Sequence, residues 1–232
     1  MLLNFKKYLI IAAHPDDEIL GCGGLLIKLS KMKKKVRIVY LAEGVSSRYP
    51  GNEFSKHSLN KKFQREIACK KICKELSIKE IFFSDALCTR LDEFPLINYV
   101  RKIEMHINEF RPDIILTHSQ FDLNIDHQIA YKSVENATRP YKKNFLTGVV
   151  SYEVPCSSNF TFSKSFNPNL YLDISLEINK KIKLFENYKN EVRKYPFPRS
   201  KKGILVLSQY RGIQSGLYSA EAYHVERLIL RK

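Results

Sequence analysis

Short apolar runs alternate with longer amphipathic ones through the first two-thirds of the chain. The runs "YLIIAA" (8–13), "VRIVYLA" (36–42), "IFFS" (81–84) and "DIILTH" (113–118) are rich in branched or aromatic residues. They lack polar alternation, as strands covered on both faces should. Between them, apolar residues at three- and four-residue spacing predict helices near 18–33, 58–77 and 96–110, with Val100, Ile103 and Ile107 on one stripe of the third. Such alternation predicts a three-layer α/β/α fold around a mostly parallel sheet with right-handed crossovers.

The last third reads differently. "GVVSYEV" (148–154) and "LYLDI" (170–174) suggest strands around a polar loop. A helix is expected over 175–192, with Ser175 as its cap, and Pro196 and Pro198 make "KYPFPRS" (194–200) irregular. We read residues 1–232 as one domain, with an α/β core over about 1–147 and a substrate-shaping C-terminal part of strands and helices over about 148–232.

A hydrophobic content of 44% over 232 residues is enough to bury a sizeable core. No apolar run approaches the ~18 residues of a membrane span. The first apolar run passes straight into an acidic cluster, so it is read as a core strand rather than a signal peptide. Five scattered cysteines suggest no disulfide framework, hence a reducing, cytoplasmic setting. Cys69 and Cys73 lie one helical turn apart, but no second pair completes a four-thiolate site, which favours a place in the core.

The candidate chemistry lies at two strand ends. "HPDDE" (14–18) follows the first predicted strand and "HSQFDLNIDH" (118–127) ends the fourth. In an open parallel sheet both would emerge at the same edge, where ligands bind. They bring together His14, Asp16, Asp17, Glu18, His118, Asp122, Asp126 and His127. Carboxylates crowded without partners are costly, because like charges and desolvation both oppose ionisation. A divalent cation resolves the conflict. Two imidazoles and one carboxylate with an open fourth position form a catalytic zinc arrangement that acidifies a bound water, and a second carboxylate near that water can act as general base. Pro15 forces a turn that lets His14 and Asp17 converge while Asp16 points elsewhere, toward the water. Acids that merely decorate a helix N-terminus gain only ~0.3–1 kcal/mol each, and that role explains neither histidine.

"AAHPDDEILGCGG" (12–24) with the downstream "DLNIDH" (122–127) resembles the zinc-dependent de-N-acetylases of the PIG-L/LmbE-like family. "LAEGVSSRY", "RPDIILTH", "YEVPCSSNFTF", "PFPRS" and "SAEAYHVER" extend the likeness over nearly the whole chain. The resemblance implies a Rossmann-like fold and a metal held by His14, Asp17 and His127: zinc, with ferrous iron or another divalent transition metal as substitute. It makes Asp16 the base and Asp126 a carboxylate that orients an imidazole. Arg65 and Arg48 become candidates for gripping the substrate. Two positions depart from the family pattern. Asn124 stands where many relatives carry histidine; asparagine cannot supply a proton, although it can donate a hydrogen bond to an oxyanion. The acid role then passes to His118, to solvent or, as we favour, back to Asp16 once it has taken the water's proton, with His118 polarising or positioning. Phe197 also stands where close relatives tend to carry histidine, which leaves Arg199 and Ser200 of that loop as substrate contacts.

The function expected is therefore metal-dependent hydrolysis of the N-acetyl group of an N-acetylated sugar. The formal charge of +15, from 39 basic and 24 acidic residues, suits a phosphate-bearing sugar such as a sugar nucleotide. Most lysine clusters nevertheless fall where a helix shows its solvent face. No Lys/Arg–aromatic stretch forms a stacking platform, so nucleic acid is not an expected partner and a basic nucleic-acid-binding protein is the weaker alternative. A metal-dependent amidase of another small metabolite is a further one. The sequence is compatible with a homo-oligomer. The glycines of "GCGG" (21–24) lie too far past the helix start for a dinucleotide fingerprint, and the acids there would repel a pyrophosphate; they suit close helix–sheet packing instead.

Overall fold

The computed structural model describes residues 2–140, 145–162 and 165–230. Four parallel strands, β1 (Lys7–Ala12), β2 (Lys35–Tyr40), β3 (Glu80–Phe82) and β4 (Ile114–His118), come from the four apolar runs. They alternate with α1 (Asp17–Lys31), α2 (Lys56–Glu75) and α3 (Leu96–Phe110), each within two residues of its predicted bounds. α4 (Ile125–Ala137) leads to β5 (Gly148–Tyr152), which pairs parallel to β4. β6 (Leu170–Asp173), α5 (Ile178–Phe185), α6 (Lys201–Ser215) and β7 (Ala220–Leu228) complete the chain. The strand order is β3-β2-β1-β4-β5-β7-β6, with β7 antiparallel to both neighbours. The C-terminal strands therefore extend the same sheet.

Alternation along β1 fills both faces. Tyr8, Ile10 and Ala12 join a core with α1, α2 and α5, whereas Leu9 and Ile11 join one with α3 and α4. The expected α3 stripe is buried and extended by Tyr99, His106 and Phe110. α3 stops where Arg111 turns left-handed ahead of Pro112. Cys69 and Cys73 sit in the core, and all five cysteines are free.

Two local expectations need correction. The helix expected over 175–192 is only Ile178–Phe185, because the Asn187 side-chain amide donates to the Lys183 and Leu184 carbonyls and closes its C-terminal end. Ser175 does not cap it; its hydroxyl donates to Asp173 Oδ1 at 2.6 Å, in the turn after β6.

The glycine cluster does pack α1 closely on the sheet. A Cβ at Gly21 would lie 2.2 Å from the buried Tyr152 ring. We expect Gly21→Ala to cost about 1–3 kcal/mol through overpacking, read as a lower urea midpoint at unchanged slope.

Strand order reverses between β1 and β4, which point the same way from neighbouring positions. The chain leaves them in opposite directions and opens a crevice at their carboxyl ends. Both polar clusters lie there.

Candidate metal centre

Past Ala12, the segment His14–Asp17 makes a tight turn. Asp16 holds a positive φ of 137°, a conformation that costs a non-glycine residue about 1–3 kcal/mol and persists only where its surroundings enforce it. They do so from three sides. Asp17 Oδ2 accepts the His14 backbone N–H at 2.8 Å, and Glu18 Oε2 accepts that of Asp16 at 2.9 Å. Glu18 is fixed in turn by the Tyr188 hydroxyl, which donates to its Oε1 at 2.6 Å. Arg65, from α2, donates through Nε to the Pro15 carbonyl at 2.5 Å and through Nη1 to that of Gly44. Gly44 admits the guanidinium because it lacks a side chain: a Cβ there would lie 2.9 Å from both Arg65 and His14.

The turn brings His14 Nδ1 to 3.5 Å and, from α4, His127 Nε2 to 3.4 Å from Asp17 Oδ2. A tetrahedral ion with bonds of about 2.0–2.2 Å places its ligand atoms roughly 3.3–3.5 Å apart. The three atoms therefore fit a shared ion, and His127 Nε2 is buried with no hydrogen-bond partner. The outer nitrogens meet carboxylates. His14 Nε2 donates to Asp126 Oδ2 at 2.8 Å, and His127 Nδ1 lies 3.1 Å from Asp122 Oδ2. Asp126 is anchored by the Thr89 and Leu91 backbone N–H groups at 2.6 and 3.1 Å. Asp122 is anchored by the Ser157 and Ser158 hydroxyls at 3.0 and 2.7 Å. These contacts orient the imidazoles so that the remaining nitrogens converge. The same histidines also lie within metal reach in two other groups, with Cys88 and Asp126 and with His118 and Asp122. In both, as at Asp17, protein donors also reach the carboxylates.

The electrostatics point to positive charge at the convergence. Burial opposes charging of His127, but Asp122 and Asp17 push it up to about 10; burial also opposes it at His14, yet Cys88, Asp126 and Asp17 hold it well above the ordinary imidazole value. Burial works against ionisation of Asp17 too, and His127 and His118 overcome it, keeping the carboxyl well below its usual range. The carboxylates facing these imidazoles thus favour positive charge among them. That is the donor chemistry of a cation site.

Asp16 is the other carboxylate at this point. Its Oδ1 meets Arg65 Nη2 at 2.6 Å, whereas Oδ2 is buried with no hydrogen-bond partner and lies 3.6 Å from Arg199 Nη1. Burial raises it to about 6 against the pull of Arg65. A cavity of about 260 Å³ opens onto His14, Asp16, Asp17 and His127, and Asn124, Arg48, Arg65 and Arg199 contribute to its wall. Asn124 caps α4, its Oδ1 accepting the Asp126 N–H at 2.9 Å, which leaves its NH₂ as the end able to donate. His118 lies behind this wall. Fully buried and stacked 3.9 Å from the His127 ring, it accepts the Ala13 backbone N–H through Nε2 at 2.8 Å and ties the end of β1 to that of β4. Burial and the neighbouring His127 lower it to about 3, so it is neutral.

The three arginines meet a residue that sequence reasoning missed. Glu191 accepts from Arg48 Nη1 and Nη2 at 2.6 and 2.7 Å, from Arg65 at 3.0 Å and from Arg199 at 3.2 Å. Burial would raise its carboxyl, but Arg65, Arg48 and Arg199 hold it at about 2. Every nitrogen of Arg65 has a protein acceptor, which makes it a support for the Asp16 turn. Arg199 keeps a buried, unpartnered Nε. Cys88 was also missed as a neighbour of the site; its thiol lies 3.4 Å from His14 Nε2.

A doubly wound sheet with two histidines and a carboxylate converging at its switch point, and the Arg65-paired Asp16 beside them, is the arrangement of a candidate metal site on an α/β fold. The profile of the PIG-L family, GlcNAc-PI de-N-acetylase, matches residues 9–138, and the chain belongs to that family. Diacetylchitobiose deacetylase of Thermococcus kodakarensis is 26% identical over 94% of this chain and 82% of its own. The fold is shared with N,N'-diacetylchitobiose deacetylase from Pyrococcus horikoshii, at 19% identity and a TM-score of 0.75 over 96% of this chain and 84% of that one. It is shared equally with the 4-carboxy-2-hydroxymuconate hydratase from Pseudomonas putida KT2440, at 16% identity and a TM-score of 0.75 over 98% of each chain. Among the described residues no helix is long and apolar enough to cross a membrane.

Proposed function

We propose that the protein is a zinc-dependent hydrolase that removes the N-acetyl group of an N-acetylated sugar, yielding acetate and a free amine. The observation that carries this reading is the buried, unpartnered Asp16 Oδ2 opening on the same cavity as His14, Asp17 and His127. Those three residues would hold the ion, which when bound supplies Lewis acidity toward carbonyl and water oxygens. Asp16 takes a proton from the attacking water and returns it to the departing nitrogen, a shuttle suited to a carboxyl raised toward neutrality. The Asn124 NH₂ donates to the carbonyl oxygen as negative charge develops there. His118, Asp122 and Asp126 position the two metal-binding segments, while Arg65 and Glu191 hold Asp16 in place. The deacetylase relative supports the choice of an N-acetyl sugar. The surplus of basic residues supports one bearing phosphate, and five free cysteines suit the cytoplasm.

Zinc-loaded protein incubated with free, phosphorylated and nucleotide-linked N-acetyl sugars is expected to release acetate, to lose that activity on chelation and to regain it with zinc. Absence of acetate from the whole panel, or release that persists in metal-free protein, would overturn the reading. The hydratase of the same fold shows why a product must be measured: the scaffold alone does not fix the reaction.

A further inference from the structure

A second cavity, of about 700 Å³, lies on the far side of the Arg48–Glu191–Arg65 wall, between α2 and the segment that follows α5. Arg48 and Arg65 line both cavities, so the two adjoin. Its other basic residues are Lys61 and Lys71 from α2, Lys183 from α5, and Lys189 and Arg193 beyond it. The lining contains two carboxylates, and both are engaged elsewhere: Glu191 by its three arginines and Glu186 by Lys201. Among the described residues, none of those five cations has an ion-pair partner. Lys61 Nζ reaches only the Asn190 side-chain oxygen, at 3.3 Å, and Arg193 only backbone carbonyls.

Lys71, Lys183, Lys189 and Arg193 are exposed at the cavity rim and Lys61 is half-buried, and like charges clustered around a concavity raise the local concentration of anions. A multiply charged anion offsets those charges, and lysine and arginine donors suit phosphate oxygens. We infer that this cavity is a phosphate-binding subsite beside the smaller one, which takes phosphate either free or as part of the N-acetylated substrate. The inference rests on the deacetylase reading only for the molecule that carries the phosphate. Binding itself can be tested without turnover.

The test is thermal unfolding of zinc-loaded protein in rising inorganic phosphate, with chloride holding ionic strength constant. A ligand selective for the native state raises Tm until its site fills. The expected result is a saturable rise in the parent and, in K71E/K183E, a half-saturating concentration higher by about tenfold or more, as loss of charge-assisted contacts implies. K33E/K35E, which makes the same charge change at the opposite end of β2, should respond like the parent. K71Q/K183Q should shift the same way by less, and serves if the reversed charges impair folding. No saturable rise in the parent, or an equal rise in K71E/K183E from phosphate bound at the ion or elsewhere, would overturn the proposal. Phosphate that raises KM for a phosphate-bearing N-acetyl sugar at constant kcat assigns the group to the substrate. Phosphate that raises Tm without moving KM supports the same site filled by a free anion. Should no sugar be deacetylated, the function fails while the Tm series still decides the subsite.

Discussion

Asp16→Asn is expected to keep its metal and lose turnover by about 10²–10⁴-fold, the usual worth of a positioned general base. The amide still accepts from Arg65 through its oxygen, at the position where Oδ1 now lies 2.6 Å from Nη2. Asparagine also tolerates positive φ, so the turn that demands 137° at this position should survive. The three donor atoms of the cradle belong to other residues, and zinc content measured on the purified variant should match the parent. Proton acceptance is lost, because an amide cannot take up the water's proton, and with it the charge that faces Arg65 and Arg199. Acetate release within about threefold of the parent, with full metal, would remove Asp16 from that role.

His127→Ala is expected to act the other way round. It deletes one of the three converging atoms and leaves Asp17 and Asp122 buried without the imidazole that faces both. Retained zinc should fall to background, and acetate release with it. The fold should persist, because Asp122 keeps the Ser157 and Ser158 hydroxyls and the Asn124 N–H, and His118 still joins β1 to β4. Circular dichroism beside metal analysis separates the two effects. A variant that holds stoichiometric zinc would show that the ion sits in another of the donor groups.

Strands β1 to β6 and the first three helices were legible because short apolar runs mark the strands and apolar residues recur at helical spacing, even where Ser58 and Arg65 interrupt the buried face of α2. α4 offers mostly small residues to the core, Ala130, Val134 and Ala137, so its periodicity is faint. α6 buries Ile204, Ser208, Arg211 and Gly212, a face with almost no hydrophobic signal. In β7 the buried run contains Glu221, which is satisfied by Lys181 and by the Gly24 and Leu25 N–H groups and is therefore invisible as a core residue. At the candidate site, position after two strand ends offered the two polar clusters, and the family resemblance singled out His14, Asp17 and His127 among them. Glu191 escaped notice as a single acid in a basic stretch, and its partners Arg48, Arg65 and Arg199 are scattered along the chain. Only folding brings such a hub together. The lysines of α2 and α5 were read as solvent faces, and Lys71 and Lys183 are indeed exposed; that they also border one concavity follows only from folding.

The match to the family spans 9–138, which contains His14, Asp16, Asp17, Asp122, Asp126 and His127, whereas Glu191, Arg199 and Val154–Ser157 of the surrounding wall lie beyond it. The cavity wall is thus assembled from both stretches, with Ser47, Arg48, Thr89 and Asn124 on the earlier side and Val154–Ser157 and Arg199 on the later. A substitution past residue 138 can therefore reshape this wall without touching His14, Asp17 or His127.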